Sequence, residues 1–192
     1  MVKEKLISKK EAVLRIDPNS LDTLLHRTLD EKSSINVIAN GLPASPGAAS
    51  GKVVFTSEEA ERLTGMMQDT ILVRVETSPE DIQGMHAAKG ILTARGGMTS
   101  HAAVVARGMG RPCVSGSSEI DINYENKSFK TSSMEIKEGE VITIDGSTGR
   151  IISGSVATVK PEISGDFSKL MSWADSFRKL NIRTNSETPK DT

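Results

Sequence analysis

The chain has 192 residues, with 24 lysine and arginine side chains against 25 aspartate and glutamate side chains, for a net charge of −1. This near-neutral balance gives no general basis for binding nucleic acid or an anionic membrane, and we expect neither as a partner. No apolar run approaches a membrane span, and the N-terminus lacks the apolar segment of a secretory signal. Cys113 is the single cysteine, which excludes an intrachain disulfide and favours a cytoplasmic location, with an organellar address of a longer parent left open.

The N-terminal part of the chain predicts short helices followed by a loop region. Ser8 and Glu11 are spaced as a capping box that opens a helix, and residues 17–20 can close it and start a second helix. Residues 40–51 are rich in glycine, proline and small side chains, which is typical of a loop. We place the start of the compact domain near Ile35, because a chain of this length fits one domain with a tail at each end.

The middle of the chain predicts a mixed α/β domain. Short apolar runs predict strands. Three longer segments predict helices, and one of them follows a helix start at Ser78. The strands are expected at 52–55, 70–75, 90–94, 112–115 and 140–144, with a hairpin from 140–144 to 150–152, and the helices at 58–67, after 78–81, and at 102–106. Beyond Pro161, apolar residues recur at helical spacing from Phe167 to Leu180, and we expect this helix to pack without a chemical role.

The run from Gly96 to Gly108 is the candidate functional site. A strand, a glycine turn and a helix N-terminus form an anion-binding arrangement, because the first backbone N–H groups of a helix are unpaired and the helix dipole is positive there. His101 stands at this point, where a neutral imidazole can act as a nucleophile and a phosphorylated ring would be stabilised. Thr99 or Ser100 could cap the helix. From spacing alone, an ordinary helix start after a glycine turn fits the run equally well.

Other polar residues give weaker signals. Arg95 and Arg107 flank the turn and could contact a transferred phosphate, although arginine on a helix is more often structural, and Arg107 is the more structural of the two. His26 and His86 lie in no metal-ligand pattern, so no metal is expected in this chain. Cys113 fits a buried strand. The sequence has no phosphate-binding loop with a following lysine, so we do not expect it to bind ATP well by itself.

Residues 96–107 fill every position of a known signature. They resemble the phosphohistidine signature of the phosphoenolpyruvate-utilising enzymes. The flanks at 91–95 and 108–116, and the segments 6–26 and 173–191, resemble the dikinase branch of that family more than its phosphoenolpyruvate synthase or enzyme I branches. The resemblance implies a swivelling β/β/α phosphohistidine domain at 36–160. It also implies a helical linker from a nucleotide-binding domain at 1–35 and a linker toward a pyruvate-binding barrel at 161–192, so that the chain would be a fragment.

The resemblance also implies the chemistry. His101 would accept a phosphoryl group that originates in ATP and pass it reversibly to pyruvate, with orthophosphate consumed and AMP and pyrophosphate released. The glycine turn and helix start, independently of the resemblance, indicate phosphate support at Gly96, Gly97, Thr99 and Ser100, with Arg95 as a further candidate. Mg²⁺ would be bound by other domains of a homodimeric parent, and Thr99 would be the target of a regulatory kinase and phosphatase. Two alternatives stay open: the equivalent domain of the synthase or enzyme I branch, and a noncatalytic swivelling binding module in which His101 is never phosphorylated.

Overall fold

The computed structural model describes residues 1–17, 26–30, 35–159 and 165–180. The second helix start predicted at 17–20 lies almost wholly outside these ranges. The chain folds into two compact units, one made of Met1–Leu21 with Glu162–Thr192 and the other of Asp22–Pro161. We describe each unit by itself.

Helices and strands are numbered in chain order. The α-helices in the described ranges are α1 (Lys9–Leu14), α2 (Ser57–Gly65), α3 (Ile82–Ala87), α4 (His101–Gly108) and α5 (Gly165–Phe177). The first seven strands are β1 (Thr28–Leu29), β2 (Val37–Asn40), β3 (Leu42–Ser45), β4 (Ala48–Val54), β5 (Thr70–Arg74), β6 (Gly90–Thr93) and β7 (Cys113–Ser115). The remaining strands are β8 (Asp121–Asn123), β9 (Ser128–Lys130), β10 (Glu135–Lys137), β11 (Val141–Asp145), β12 (Arg150–Ser153) and β13 (Thr158–Val159).

The smaller unit contains α1 and α5. Ser8 caps α1, because its hydroxyl oxygen accepts a hydrogen bond from the Glu11 N–H at 3.1 Å. The helix predicted beyond Pro161 is confirmed as α5, although none of its side chains is buried. The Lys9 ammonium lies 5.9 Å from the centroid of the Trp173 ring, a cation–π contact between the two helices of this unit.

The larger unit is built on an eight-stranded sheet in the order β2-β12-β11-β4-β5-β6-β7-β3. Strands β4, β5, β6 and β7 are parallel, and the hairpin β11–β12 continues the sheet as antiparallel strands. Helices α2, α3 and α4 each follow one of the parallel strands, so the predicted alternation of strands and helices is confirmed. All four parallel strands point their carboxyl ends to the same edge of the sheet, and their following loops meet there.

Each parallel strand is buried on both faces, and alternate residues enter different cores. Ile71 and Val73 belong to one apolar cluster with Phe129 and Ile136 of the small sheet β10-β9-β8. Leu72 belongs to a second cluster that contains the buried residues of α2, α3 and α4. The large sheet therefore lies between a layer of three helices and a smaller three-stranded sheet.

The prediction of a loop at 40–51 is wrong, because these residues contain β3 and the first half of β4. Strand β3 tolerates Pro43 because it is the edge strand beside β7, and a register shift follows between Pro43 and Ser45. Gly51 is inside β4, where a Cβ atom would lie 2.8 Å from the Thr70 backbone. The small residues of 40–51 thus allow strands to pack closely and do not indicate a loop.

The structure also contains a small sheet and a pair of strands that the sequence does not predict. The small sheet β10-β9-β8 occupies a stretch between 116 and 139 for which the sequence predicts no element. Strand β1, in the segment that the sequence assigns to the N-terminal linker, pairs antiparallel with β13. Strands of two or three residues carry too short an apolar pattern to be recognised along the chain.

Phe129 joins the small sheet to the large one, since its side chain is 0% exposed and lies in the cluster between the two sheets. We expect Phe129→Ala to lower the free energy of unfolding by about 3–5 kcal/mol, because it removes a wholly buried ring and leaves a cavity. Urea unfolding followed by circular dichroism measures this loss, whereas Trp173 fluorescence reports on the smaller unit. The same substitution at Phe177, which is 43% exposed, is the control. Equal losses for the two variants would contradict this account of the layers.

Candidate functional site

His101 is the first residue of α4, at the edge of the sheet where the parallel strands end. The chain leaves β6 at Thr93 and turns through Gly96, whose φ of +113° is the left-handed region that glycine adopts without strain. A Cβ atom on Gly96 would also lie 2.9 Å from the Ser100 Cβ atom. Glycine at this position therefore allows the turn to bring the start of α4 close to the end of β6.

Ser100, rather than Thr99, caps α4. Its backbone is extended and its hydroxyl oxygen accepts a hydrogen bond from the Ala103 N–H at 3.3 Å. The Ser100 N–H donates to the Gly97 carbonyl at 3.0 Å. Within the described part of the chain the N–H groups of His101 and Ala102 have no acceptor, as the geometry of a first helical turn requires. Two backbone donors are thus free beside the imidazole.

Side chains of the domain donate hydrogen bonds to backbone carbonyl groups of the loop before α4. Arg107 donates through Nε to the Ala44 carbonyl at 2.8 Å and through Nη2 to the Met98 carbonyl. The Ser115 hydroxyl lies 3.4 Å from the Gly97 carbonyl oxygen, a long hydrogen bond. At Gly116, φ is +62°, and a Cβ atom would lie inside van der Waals contact with the Gly96 carbonyl oxygen. The body of the domain thus donates side-chain hydrogen bonds to the carbonyl groups of residues 97 and 98 and lies close against that of residue 96.

Thr77 contacts the His101 ring. Its Oγ1 atom lies 3.2 Å from His101 Nδ1, and both residues are half-buried. Thr77 follows β5 and His101 follows β6, so the parallel pairing of these neighbouring strands brings the two residues together. Sequence reasoning missed Thr77, because the two residues are 24 positions apart and the local pattern around Ser78 indicates only a helix start. The available signal was their common place after adjacent parallel strands.

The other predicted site residues lie around the same loop. Gly97 and Thr99 are exposed in it. Arg95 is exposed as well, and its backbone N–H donates to the Val75 carbonyl at 2.9 Å. Arg107 points back onto the domain, as described above. The structure therefore groups residues 95–101 on one edge of the sheet and adds Thr77 to them.

Cys113 is buried at the start of β7. Burial, opposed by the nearby charge of Arg107, raises the pKa of its thiol from 9.0 to about 12. This shift lowers the thiolate fraction at neutral pH about 1,000-fold, and the thiolate is the reactive form. We expect iodoacetamide at pH 8 to leave Cys113 unmodified in the folded protein and to alkylate it in 8 M urea, as mass spectrometry would show. Rapid alkylation of the folded protein would contradict this burial.

A pocket of about 540 Å³ lies at the opposite edge of the sheet, where the parallel strands begin. Its lining includes the charged side chains of Arg27, Asp69, Lys89 and Arg111, together with His26. His101 does not line this pocket. In the ranges that the structure covers, no group of three or more histidine, cysteine or acidic residues is placed to hold a metal ion. No helix of those ranges is long and apolar enough to cross a membrane.

Comparison with known proteins relates the chain to one family of enzymes. Residues 66–149 match the family described as "PEP-utilising enzyme, mobile domain". The whole chain is 58% identical to 21% of pyruvate, phosphate dikinase from Rhizobium meliloti (strain 1021) and 55% identical to 22% of that from Clostridium symbiosum. It is also 51% identical to 20% of pyruvate, phosphate dikinase 1, chloroplastic, from Arabidopsis thaliana.

The chain thus spans about a fifth of the length of these relatives. Its similarity to them extends from end to end, whereas the family match covers the part that contains His101 and Thr77. Residues 66–149 therefore match the mobile-domain family of the PEP-utilising enzymes, within a chain that is similar over its whole length to one segment of pyruvate, phosphate dikinases.

Proposed function

We propose that this chain is the phosphocarrier segment of a pyruvate, phosphate dikinase and that His101 carries the phosphoryl group. The observation that supports this most directly is the pairing of the His101 ring with two kinds of partner. Thr77 Oγ1 lies 3.2 Å from His101 Nδ1, and His101 is itself the first residue of α4, where two backbone N–H groups have no acceptor among the described residues. A nucleophile and an anion-binding helix start are thus combined in one residue.

The contact with Thr77 engages Nδ1 and leaves Nε2 as the nitrogen that we propose to react. When Nδ1 carries the proton and donates it to Thr77 Oγ1, the Nε2 lone pair is free to attack phosphorus. The proton stays on Nδ1 during the attack, and Thr77 stabilises the positive charge that the ring gains. The free N–H groups of His101 and Ala102, with the positive end of the α4 dipole, would then stabilise the bound phosphoryl group.

The similarity to dikinases supplies the proposed donor and acceptor. His101 Nε2 would attack the β-phosphorus of ATP, so that AMP leaves and the ring carries a pyrophosphoryl group. Orthophosphate would then take the terminal phosphoryl group and leave as pyrophosphate. The remaining phosphoryl group would move to the enolate oxygen of pyruvate, which forms phosphoenolpyruvate and frees the ring. Two transfers through one histidine replace one difficult transfer.

We further propose that residues 36–160 swivel between two other domains of a longer polypeptide, with 1–35 and 161–192 as linkers. One domain would bind nucleotide and the other pyruvate, and both would lie in the part of the relatives that this chain does not span. Mg²⁺ would be held by those domains, as the similarity to dikinases implies. Arg95, exposed beside the loop, would contact the transferred phosphate.

Thr99 is proposed as a regulatory phosphorylation site. Its side chain is exposed in the loop, two residues before His101 and one before the helix cap. A dianionic phosphate on Thr99 would compete for the backbone donors at the helix start and would repel an incoming phosphoryl donor. A regulatory kinase and phosphatase would then be partners of the parent enzyme.

The test is phosphoryl transfer to the isolated chain. The chain is incubated with labelled phosphoenolpyruvate and a separately produced pyruvate-binding domain of a dikinase, and the labelled peptide is identified by mass spectrometry. We expect acid-labile, base-stable label on the peptide that contains His101, because phosphoramidates hydrolyse in acid. Label on another residue, or acid-stable label, would contradict the proposal, as would an unlabelled chain when the partner domain labels a known dikinase segment.

A further inference from the structure

The segment that carries Thr77 is fixed by residues outside the loop 95–101. Val75 is the residue after β5, and its N–H donates a hydrogen bond to the Tyr124 hydroxyl oxygen at 2.8 Å. The Val75 carbonyl accepts the Arg95 N–H at 2.9 Å. The Tyr124 hydroxyl therefore continues the hydrogen bonding of β5 one residue beyond the strand, two residues before Thr77.

A second anchor follows Thr77. The Ser78 N–H donates to Asp81 Oδ2 at 2.9 Å, and the Ser57 hydroxyl donates to Asp81 Oδ1 at 3.0 Å. Asp81 is only 4% exposed, and Arg74 Nε lies 3.3 Å from its Oδ1 atom. This anchor is buried and belongs to the packing of α2 against α3. The Tyr124 anchor, in contrast, comes from the turn between β8 and β9 in the small sheet.

Tyr124 is itself held in place by its ring. The Arg74 guanidinium lies 5.4 Å from the ring centroid, and the Phe55 ring meets it edge to face with centroids 6.3 Å apart. The ring is 42% exposed, so its burial alone does not explain its position. Among the residues that the structure describes, the hydroxyl group makes one hydrogen bond, and that bond goes to the backbone of the segment that carries Thr77.

We infer that Tyr124 is a positioning residue for His101. Its hydroxyl holds the backbone at Val75, which sets the place of Thr77 Oγ1 and thereby determines which nitrogen of the neutral His101 ring keeps the proton. A hydrogen bond of ordinary strength to Nδ1 changes the ratio of the two ring tautomers about fivefold. The small sheet would thus act on the nucleophile at a distance, through Val75 and Thr77. The inference rests on the proposed role of His101 as the nucleophile.

The experiment measures the tautomer ratio of His101 directly, in the unphosphorylated 192-residue chain. Two-bond ¹H–¹⁵N correlation spectra of the ring distinguish protonated Nδ1 from protonated Nε2 at a pH at which the ring is uncharged. The spectrum of His101→Ala identifies the signals. We expect Thr77→Val to change the ratio about fivefold, since it removes the hydroxyl and keeps the shape. We expect Tyr124→Phe to change it in the same direction by about two- to threefold, because the ring contacts with Arg74 and Phe55 remain.

Two comparisons separate positioning from a general loss of stability. Ser128→Ala removes a hydroxyl from the same small sheet, where it donates to Glu135 Oε1 at 2.8 Å, and it should leave the ratio unchanged. In the Thr77→Val background, Tyr124→Phe should cause no further change, because the inferred route runs through the Thr77 hydroxyl.

An unchanged ratio in Tyr124→Phe would overturn the inference. So would an equal change in Ser128→Ala, or a full Tyr124→Phe effect in the absence of the Thr77 hydroxyl. A wild-type ring with its proton mainly on Nε2 would instead contradict Nε2 as the reacting nitrogen, and loss of label transfer to His101 would contradict the proposed nucleophile, while the inference about Tyr124 is judged by the change of the ratio. The two failures are therefore distinguishable.

Discussion

Replacement of His101 by alanine is expected to reduce acid-labile phosphoryl label on the chain to background. No other side chain at the start of α4 is both nucleophilic at neutral pH and placed beside free backbone donors. The free energy of unfolding should change by less than about 1 kcal/mol, because the higher helix propensity of alanine offsets the lost bond to Thr77. Label transfer and urea unfolding measured on the same preparation check both expectations.

The matched controls are the other two histidines, since each is replaced by the same residue. His26 lines the pocket at the opposite edge of the sheet, and His86 is exposed on α3. His26→Ala and His86→Ala should keep the label of the wild type. Retained label in His101→Ala, or its loss in either control variant, would refute the assignment of His101 as the carrier.

Gly116→Ala should have the second largest effect, on stability and on phosphoryl transfer together. The left-handed φ of +62° costs an alanine about 1–2 kcal/mol. The new Cβ atom would also enter the space of the Gly96 carbonyl oxygen, and relief of such overpacking costs about 1–3 kcal/mol more. The turn at Gly96 is the part that can move. Its displacement would shift His101, and a shift of 1 Å can slow transfer about 100-fold.

Gly110→Ala measures the free-energy cost of the left-handed backbone conformation without a steric clash. Gly110 has the same φ of +62°, but a Cβ atom there would meet nothing within 4 Å. This variant should lose about 1–2 kcal/mol and keep the wild-type rate of labelling. Urea unfolding and the initial rate of label transfer distinguish the two substitutions. If both variants lost the same stability and the same rate, the contact between Gly116 and the turn would have no role.

Much of the fold could be predicted from the sequence because its strongest signals are local. Strands β5 and β6, α2 and the hairpin β11–β12 each carry a long apolar pattern or a turn signal of their own. The prediction failed where tertiary contacts override local preference. Pro43 is accepted because β3 is an edge strand, and Gly51 is needed because β4 approaches the Thr70 backbone closely.

The candidate site likewise has one part that local sequence signals predict and another part that only tertiary contacts bring together. The glycine turn, the helix cap and His101 are consecutive in the chain, so their spacing predicts a helix start after a glycine turn, and the resemblance of residues 96–107 to a phosphohistidine signature adds the nucleophile. Thr77 and Tyr124 come from other loops, and nothing local to them indicates a partner. Only the parallel pairing of β5 with β6 brings Thr77 to the imidazole, and only the packing of the small sheet brings the Tyr124 hydroxyl to Val75.

The sequence by itself therefore determined the alternation of strands and helices and the place of His101 at the start of a helix after a glycine turn. These depend on interactions between residues that are close along the chain. The tertiary structure decided which partners orient that side chain, because hydrogen bonds between loops depend on strand order and register, and neither is encoded in any single segment.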